Sequence, residues 1–343
     1  MRWKIKNEIN PQIASKLAKE LGIEFTLAKL LVHRGIETYE KAKAFFRPNL
    51  NDLHNPYLMK DMDKAVKRIQ LAIANNENIM VYGDYDVDGT TSVSLLYSYL
   101  KTIYPNVTTY IPDRYAEGYG VSYKGIDYAE DNDITLIIAL DCGIKAIDKV
   151  AYATKKGVDF IICDHHRPGS EIPQAVAVLD PKREDCKYPY KELCGCGVGF
   201  KLIQALASEK GETIQDLIPY LDLVATAIAA DIVPITGENR VLAYFGLQVI
   251  NQQPRNGIKA IIHQVNKTEL TITDVVFIIA PRINAAGRIK HGNYAVELLT
   301  ELDFEAAVNF ASEIEKNNNN RKELDKTITA EALQQIEKNN EQQ

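Results

Sequence analysis

No apolar stretch of this 343-residue chain runs uninterrupted for the length of a membrane span; the most apolar one, LIPYLDLVATAIAADIVPI, is broken by Asp222 and Asp231. The amino terminus, MRWKIKNEIN, lacks the apolar block of a secretory leader. The expectation is a soluble, cytoplasmic protein with no membrane partner. Five cysteines, an odd number, do not make a disulfide framework, and reduced thiols suit the cytosol. Cys186, Cys194 and Cys196 lack the C-x-x-C spacing of a zinc site, and Cys142 and Cys163 read as small core residues. There is no internal repeat, and NNNN is the one low-complexity spot. Nor is the chain basic: its formal charge is −6. Residues 301–343 contribute −5 of this, from ten acidic and five basic side chains, so the net charge of the rest neither supports nor excludes a phosphate-rich substrate.

What is present, 46% hydrophobic and 25% charged residues, is enough for two domains or one large domain with appendages. Residues 1–60 read as a helical cap, with Gly22 and Gly35 as helix ends, together with the linker PNLNDLHNPYLM. DMDKAVKRIQLAIANNEN is an amphipathic helix with Asp61 or Asp63 near its start. Short β-rich runs then alternate with helical segments: NIMVY, VTTYI, ITLIIAL, DFIIC and AVAVLD. That alternation predicts an α/β core over about 61–240, a parallel sheet flanked by helices. Residues 241–300 read as a mostly helical continuation containing one loop, APRINAAGRIKHGN. Residues 301–343 read either as the start of a connecting helix or as a solvated tail.

A second shortage directs attention to chemistry. No lysine or arginine occurs in residues 81–100, yet VYGDYDVDGTTSVS places Asp84, Asp86 and Asp88 directly after a strand. LIIAL leads to Asp141, FIIC to Asp164, His165 and His166, and Asp231 sits inside VATAIAADIVPI. The carboxyl ends of parallel strands line one crevice, so these positions converge. Any one aspartate there can be a helix cap, and DGTTS suits a cap for a helix at 90–103. Five carboxylates together repel and raise one another's pKa unless a cation lies between them. Oxygen donors with an imidazole suit Mn²⁺, or Mg²⁺, rather than structural zinc. Two such ions roughly 3.5–4 Å apart, bridged by a carboxylate, suit phosphoryl hydrolysis, with water as the nucleophile. Asp141, alone at a central strand tip, is the candidate bridge.

Of six histidines, His33, His54 and His263 read as surface or core residues. His165 and His166 leave a strand in different directions, so one can ligate metal while the other faces substrate, with Asp164 orienting an imidazole. In RYAEGYGVS, Arg114, Tyr115 and Tyr119 suit phosphate pairing and base stacking. GCGVGF lacks the full dinucleotide-binding pattern and reads as tight packing at a helix start.

In this order, GDYDVDG, DCG, DHH and AADIVP resemble the DHH phosphoesterase superfamily. With LLVHRGIET, IPDRYAEGYGVS, GCGVGFKLIQAL and PRINAAGR, the resemblance extends over about residues 1–300 to the bacterial RecJ single-strand-specific exonucleases. It implies metal ligation by Asp84, Asp86, Asp88, Asp141, His165 and Asp231, with His166 at the scissile phosphate or leaving group. Smaller members of the superfamily place a histidine where this chain has Tyr82. The resemblance also implies that Arg282, Asn284 and Arg288 hold nucleic-acid phosphate. It further implies 5′-to-3′ degradation of single-stranded DNA in repair and recombination, with a single-strand-binding protein and a helicase as partners. A further domain would follow the connecting helix; its glycine–histidine motif is not visible here. The rival readings are a phosphodiesterase acting on short oligonucleotides or cyclic dinucleotides, and a non-catalytic replication scaffold.

Overall fold

The computed structural model describes residues 9–265, 267–289 and 292–339; the side chains of 287–289, 317, 320–322 and 324 fall outside that description. The amino-terminal cap consists of α1 (Pro11–Leu21), α2 (Phe25–Val32) and α3 (Tyr39–Phe46). Gly22 ends α1 at φ 65°, a left-handed cap that a side chain would strain. Ala14, Leu17, Ala28 and Val32 give the cap a small core of its own.

After α4 (Met62–Ala74) the chain alternates as its pattern requires. β1 (Asn78–Gly83), α5 (Val87–Lys101), β2 (Val107–Tyr110), α6 (Tyr123–Asp131), β3 (Ile134–Leu140), α7 (Ile147–Lys155), β4 (Asp159–Cys163) and β5 (Ala177–Leu179) follow in turn. The five strands are parallel in the order β2-β1-β3-β4-β5. Their unbroken apolar runs are explained by burial on both faces, since successive side chains point to opposite sides. Ile79, Val81, Ile138, Leu140 and Ile161 enter one core, and Met80, Tyr82, Ile137, Phe160 and Ile162 the other. Truncating one of these to alanine costs about 2–5 kcal/mol.

The elements described after β5 are helical: α8 (Gly195–Glu209), a 3-10 helix (Ile214–Tyr220), α9 (Leu221–Ala230), α10 (Gly237–Gln252), α11 (Asn256–His263), α12 (Ile272–Asp274), a π turn (Val275–Ile279), α13 (Ala280–Ile289), α14 (Gly292–Thr300) and α15 (Phe304–Lys338). Among the described residues no helix is long and apolar enough to cross a membrane. The linker is tied down by a buried polar cluster. Lys201, fully buried, donates to the His54 carbonyl at 2.6 Å and to Glu238 at 3.1 Å, and Glu238 also accepts from Tyr188 and the His54 amide. Every partner is satisfied, so the pair is tolerated; removing one member would cost about 3–5 kcal/mol.

Two sequence expectations change. The segment read as a loop, APRINAAGRIKHGN, is largely helix, because Ile283, Ala285 and Ala286 are buried along one side of α13. Pro281 stands at its second position, and the preceding π turn closes through the Ala280 amide to Val275, so the missing proline N–H breaks no ladder. The helix expected at 90–103 begins at Val87, which makes Asp86 its N-cap.

Candidate metal centre

Four of the five strands end on an aspartate: Asp84 after β1, Asp141 after β3, Asp164 after β4 and Asp180 after β5. The order β2-β1-β3 reverses direction between β1 and β3, so the crevice opens between Asp84 and Asp141.

Backbone amides fix three of these acids, Asp84, Asp86 and Asp88. Asp84 accepts from the Tyr85 amide at 2.7 Å and the Gly120 amide at 2.6 Å. Asp86 accepts from Gly89 at 2.9 Å, as the cap of α5. Asp88, in the first turn of α5, receives the first two amides of α8, from Gly195 at 2.6 Å and Cys196 at 2.8 Å. The positive end of one helix thus holds a carboxylate carried by another. Asp141 adopts φ 58°, a left-handed conformation that aspartate tolerates better than most residues. Its side chain lies so close to Gly195 that a Cβ there would sit 2.5 Å from the Asp141 Cβ.

Asp88, Asp141 and Asp231 meet at His165. Its Nε2 is 3.1 Å from Asp141 Oδ1, 3.6 Å from Asp88 Oδ2 and 3.7 Å from Asp231 Oδ2. Asp231 caps the carboxyl end of α9. Among the described residues, two groups with ligand atoms within 4.8 Å of one another result, Asp88–His165–Asp231 and Asp141–His165–His166, with His165 common to both. Asp84 and Asp86 belong to neither group, although their charges act on it.

The electrostatics are those of a site built for cations. Burial, then repulsion from Asp231 and Asp86, pushes Asp88 up to about 8. Burial raises Asp141 well above the carboxylate range, with Asp88 and Asp86 adding to it. Asp84 is pushed up to about 7 and Asp231 to about 6, in each case first by burial and with Asp86 adding repulsion. Burial lowers His165 to about 4, which leaves its imidazole neutral and able to ligate at pH 7. Asp141 Oδ1 and both ring nitrogens of His165 are buried without a hydrogen bond. Unpaired buried polar atoms are costly, and these sit among crowded carboxylates. Oxygen donors with imidazole fit divalent Mn²⁺ or Mg²⁺ at this centre.

Around it, Asp164 accepts from the Ile144 and His165 amides at 2.9 and 2.7 Å and pairs with His166 Nδ1 at 2.7 Å. That hydrogen bond raises His166, and it holds Asp164 below the carboxylate range despite burial. Arg114 stacks 4.6 Å over Tyr85, whose ring meets Tyr119 edge-on at 5.7 Å; Tyr119 in turn lies 6.5 Å from His166. The expected rim residues Arg114 and Tyr119 are therefore at the centre's edge, and Tyr115 is exposed.

The PRINAAGR residues divide. Asn284 lines a cleft of about 250 Å³ with Val87 and Ala230, neighbours of Asp88 and Asp231. Arg282 instead pairs with Glu315 of α15 at 2.6 Å and donates to the Ile278 carbonyl, so the structure turns it toward a helix rather than the crevice. The Arg288 side chain lies outside the described residues.

Sequence reasoning missed three features. Asp180, at the tip of β5, is buried and pushed up to about 7 by burial, and AVAVLD carried that signal. The α8 amides that hold Asp88, from Gly195 and Cys196, were visible only as part of the GCGVGF run. Ile232, a β-branched residue at φ 56° and 83% exposed directly after Asp231, had no sequence signature.

The model of the DHH family, N-terminal domain, matches residues 78–228. The single-stranded-DNA-specific exonuclease RecJ of Bacillus subtilis (strain 168) is 39% identical over 339 residues, covering 98% of this chain and 42% of that protein. A crystal structure of exonuclease RecJ bound to manganese superposes with a TM-score of 0.76 at 31% identity, over 84% of this chain and 72% of that one. The Thermus thermophilus RecJ complex with Mn²⁺ gives a TM-score of 0.82 at 27% identity, over 97% of this chain and 48% of that one. The chain spans about half the length of the curated relatives it matches. From motif order, sheet order and these likenesses together, the chain belongs to the DHH family and, within it, to the RecJ proteins.

Proposed function

We propose that this chain carries the hydrolytic centre of a metal-dependent, single-strand-specific DNA exonuclease. The observation that supports it best is the pair of ligand groups joined at His165, which draw on Asp141 after β3, Asp88 of α5 and Asp231 of α9, with Asp141 Oδ1 buried and unpaired. Asp88, Asp141, His165 and Asp231 would hold the ions, with Asp84 and Asp86 closing the anionic side. Divalent ions bound there supply Lewis acidity toward a phosphodiester and its attacking water. In this reading residues 61–240 are the catalytic unit, 1–60 a cap and linker, and 241–300 a helical support.

The protein's own groups then have separable tasks. Asp164 keeps His166 protonated at Nδ1 and oriented, so the imidazole donates toward a phosphate oxygen or leaving oxygen. Arg114 offers its guanidinium to backbone phosphate, while Tyr85 and Tyr119 offer ring faces and edges to unpaired bases. Asn284 approaches the same crevice from α13. The relatives' names carry the substrate to this chain, and the 5′-to-3′ direction, a repair role, a cytoplasmic setting and partners such as a single-strand-binding protein and a helicase come with the family.

The test is Mn²⁺-dependent digestion of single strands labelled separately at each end, beside duplex DNA, dinucleotides and pyrophosphate. Preferential loss of label from the 5′ end of long single strands supports the reading. Faster turnover of dinucleotides or pyrophosphate would move it to a small-substrate phosphodiesterase. Mn²⁺ binding without hydrolysis of any of them would count against a catalytic role.

A further inference from the structure

A cleft of about 310 Å³ adjoins the metal centre and shares Tyr119, Asp164 and His166 with it. Val121, Cys142, Ile144 and Ala146 give it apolar walls, and Lys145 and Lys149 line it as well. Lys145 is exposed and Lys149 half-buried. No hydrogen bond or ion pair joins either ammonium to a described residue. The one carboxylate on the lining, Asp164, is already committed to His166 and to the Ile144 and His165 amides. Two unspent cations thus line an apolar cleft that also includes the candidate proton donor, His166.

Apolar walls, an aromatic ring and positive charge at the opening match a nucleotide: a base wants a dry slot and a π face, its phosphate wants ammonium groups. The volume lies at the small end of ligand pockets, which suits one nucleotide rather than a run of them. We propose that this cleft is a single-nucleotide subsite. A base lies among Val121, Ile144 and Tyr119, and Lys145 and Lys149 hold the phosphate next to the one presented at the metal centre. The described side chains on the walls bring no set of donors and acceptors that would read a base edge, so the subsite is tolerant of base identity. This rests on the phosphodiesterase reading above and adds where the nucleotide neighbouring the scissile bond is held.

The test titrates the full chain, with Mn²⁺ present, with deoxythymidine 5′-monophosphate, deoxyadenosine 5′-monophosphate, thymidine and inorganic phosphate, by calorimetry. Both nucleotides should bind with similar affinity, and at least about tenfold more tightly than thymidine or phosphate. The double variant Lys145→Gln, Lys149→Gln should lose about tenfold for both nucleotides and leave phosphate binding, which reports on the metal centre, unchanged. Lys145 is exposed, and neither ammonium has a partner among the described residues to lose, so the variant should fold normally, and an unchanged melting temperature checks this. Ala146→Trp, which fills the slot, should abolish the preference for nucleotide over phosphate. Equal nucleotide affinity in the wild type and the lysine variant, or no preference for nucleotide over phosphate, would overturn the subsite. Hydrolysis of bis(4-nitrophenyl) phosphate, which has no base, separates the two levels. Its absence in the wild type counts against the phosphodiesterase reading, whereas the binding arms alone decide the cleft.

Discussion

His165 Nε2 lies 3.1 Å from Asp141 Oδ1, yet neither atom makes a hydrogen bond and both are buried. Two ligand-type atoms that approach without bonding each other are arranged around something else. The raised carboxylates around them say that it is positively charged.

The first expected outcome concerns pH. Asp84 and Asp88 sit at about 7 and about 8, and His166 is raised, so between pH 6.5 and 8 the folded chain keeps protons that the unfolded chain has lost. Stability of the metal-free protein therefore falls as pH rises through that window. His165, lowered to about 4, gives the opposite slope only between pH 4 and 6.5, where the unfolded chain alone holds its proton. Melting temperatures in EDTA should decline from pH 6.5 to 8, and Mn²⁺ should restore most at the upper end. A flat profile, with or without metal, would show that the carboxylates are not crowded as described.

Gly195 offers a second test. A methyl group there would lie 2.7 Å from Asp141 Oδ1, and the same residue's amide holds Asp88. Gly195→Ala should reduce Mn²⁺ affinity by about 10–100-fold, the range found when groups that orient metal ligands are disturbed. Unchanged affinity would show that Asp141 has room to move.

Asp164→Asn addresses the role of His166. Without the carboxylate the imidazole loses the partner that raises it, so its protonated form disappears at lower pH. Hydrolysis should slow by about 10–100-fold near neutrality, with the alkaline limb of the kcat profile displaced toward acid. A uniform loss with an unmoved profile would reduce Asp164 to a backbone anchor for Ile144 and His165.

Arg114 and Arg282 should behave differently. Arg114→Ala should weaken single-strand binding and shrink the salt slope by about 0.7, the value of one phosphate contact. Arg282→Ala should leave the slope alone and cost about 1 kcal/mol of stability through loss of the Glu315 pair, as read by denaturant unfolding. The reverse result would place Arg282 on the strand and Arg114 in a structural role.

The contrast between these arginines shows what a linear reading conveys. Strand tips are legible, because a β-rich run followed by aspartate has one geometric meaning in a parallel sheet; so Asp84, Asp141, Asp164 and His165 were findable. The parallel sheet itself follows from strands that are apolar on both faces. Pairings across distant helices are not legible: Arg282 meets Glu315 only because α13 packs on α15. Composition misled at APRINAAGRIKHGN, where glycine, asparagine and proline suggested a loop. The burial of Ile283 and Ala286 decided for helix, and a π turn accommodated the proline. The cap role of Asp86 and the α8 amides on Asp88 depend on where helices start, to within one residue.

The most direct measurement is the stoichiometry of Mn²⁺ binding to the full chain, by calorimetry or paramagnetic resonance, in the wild type and in Asp141→Ala. Two ions per chain, falling in the variant whose melting temperature is kept or raised, is the result expected of carboxylates made tolerable by cations. No bound ion in the wild type, or the same two in the variant, would contradict it.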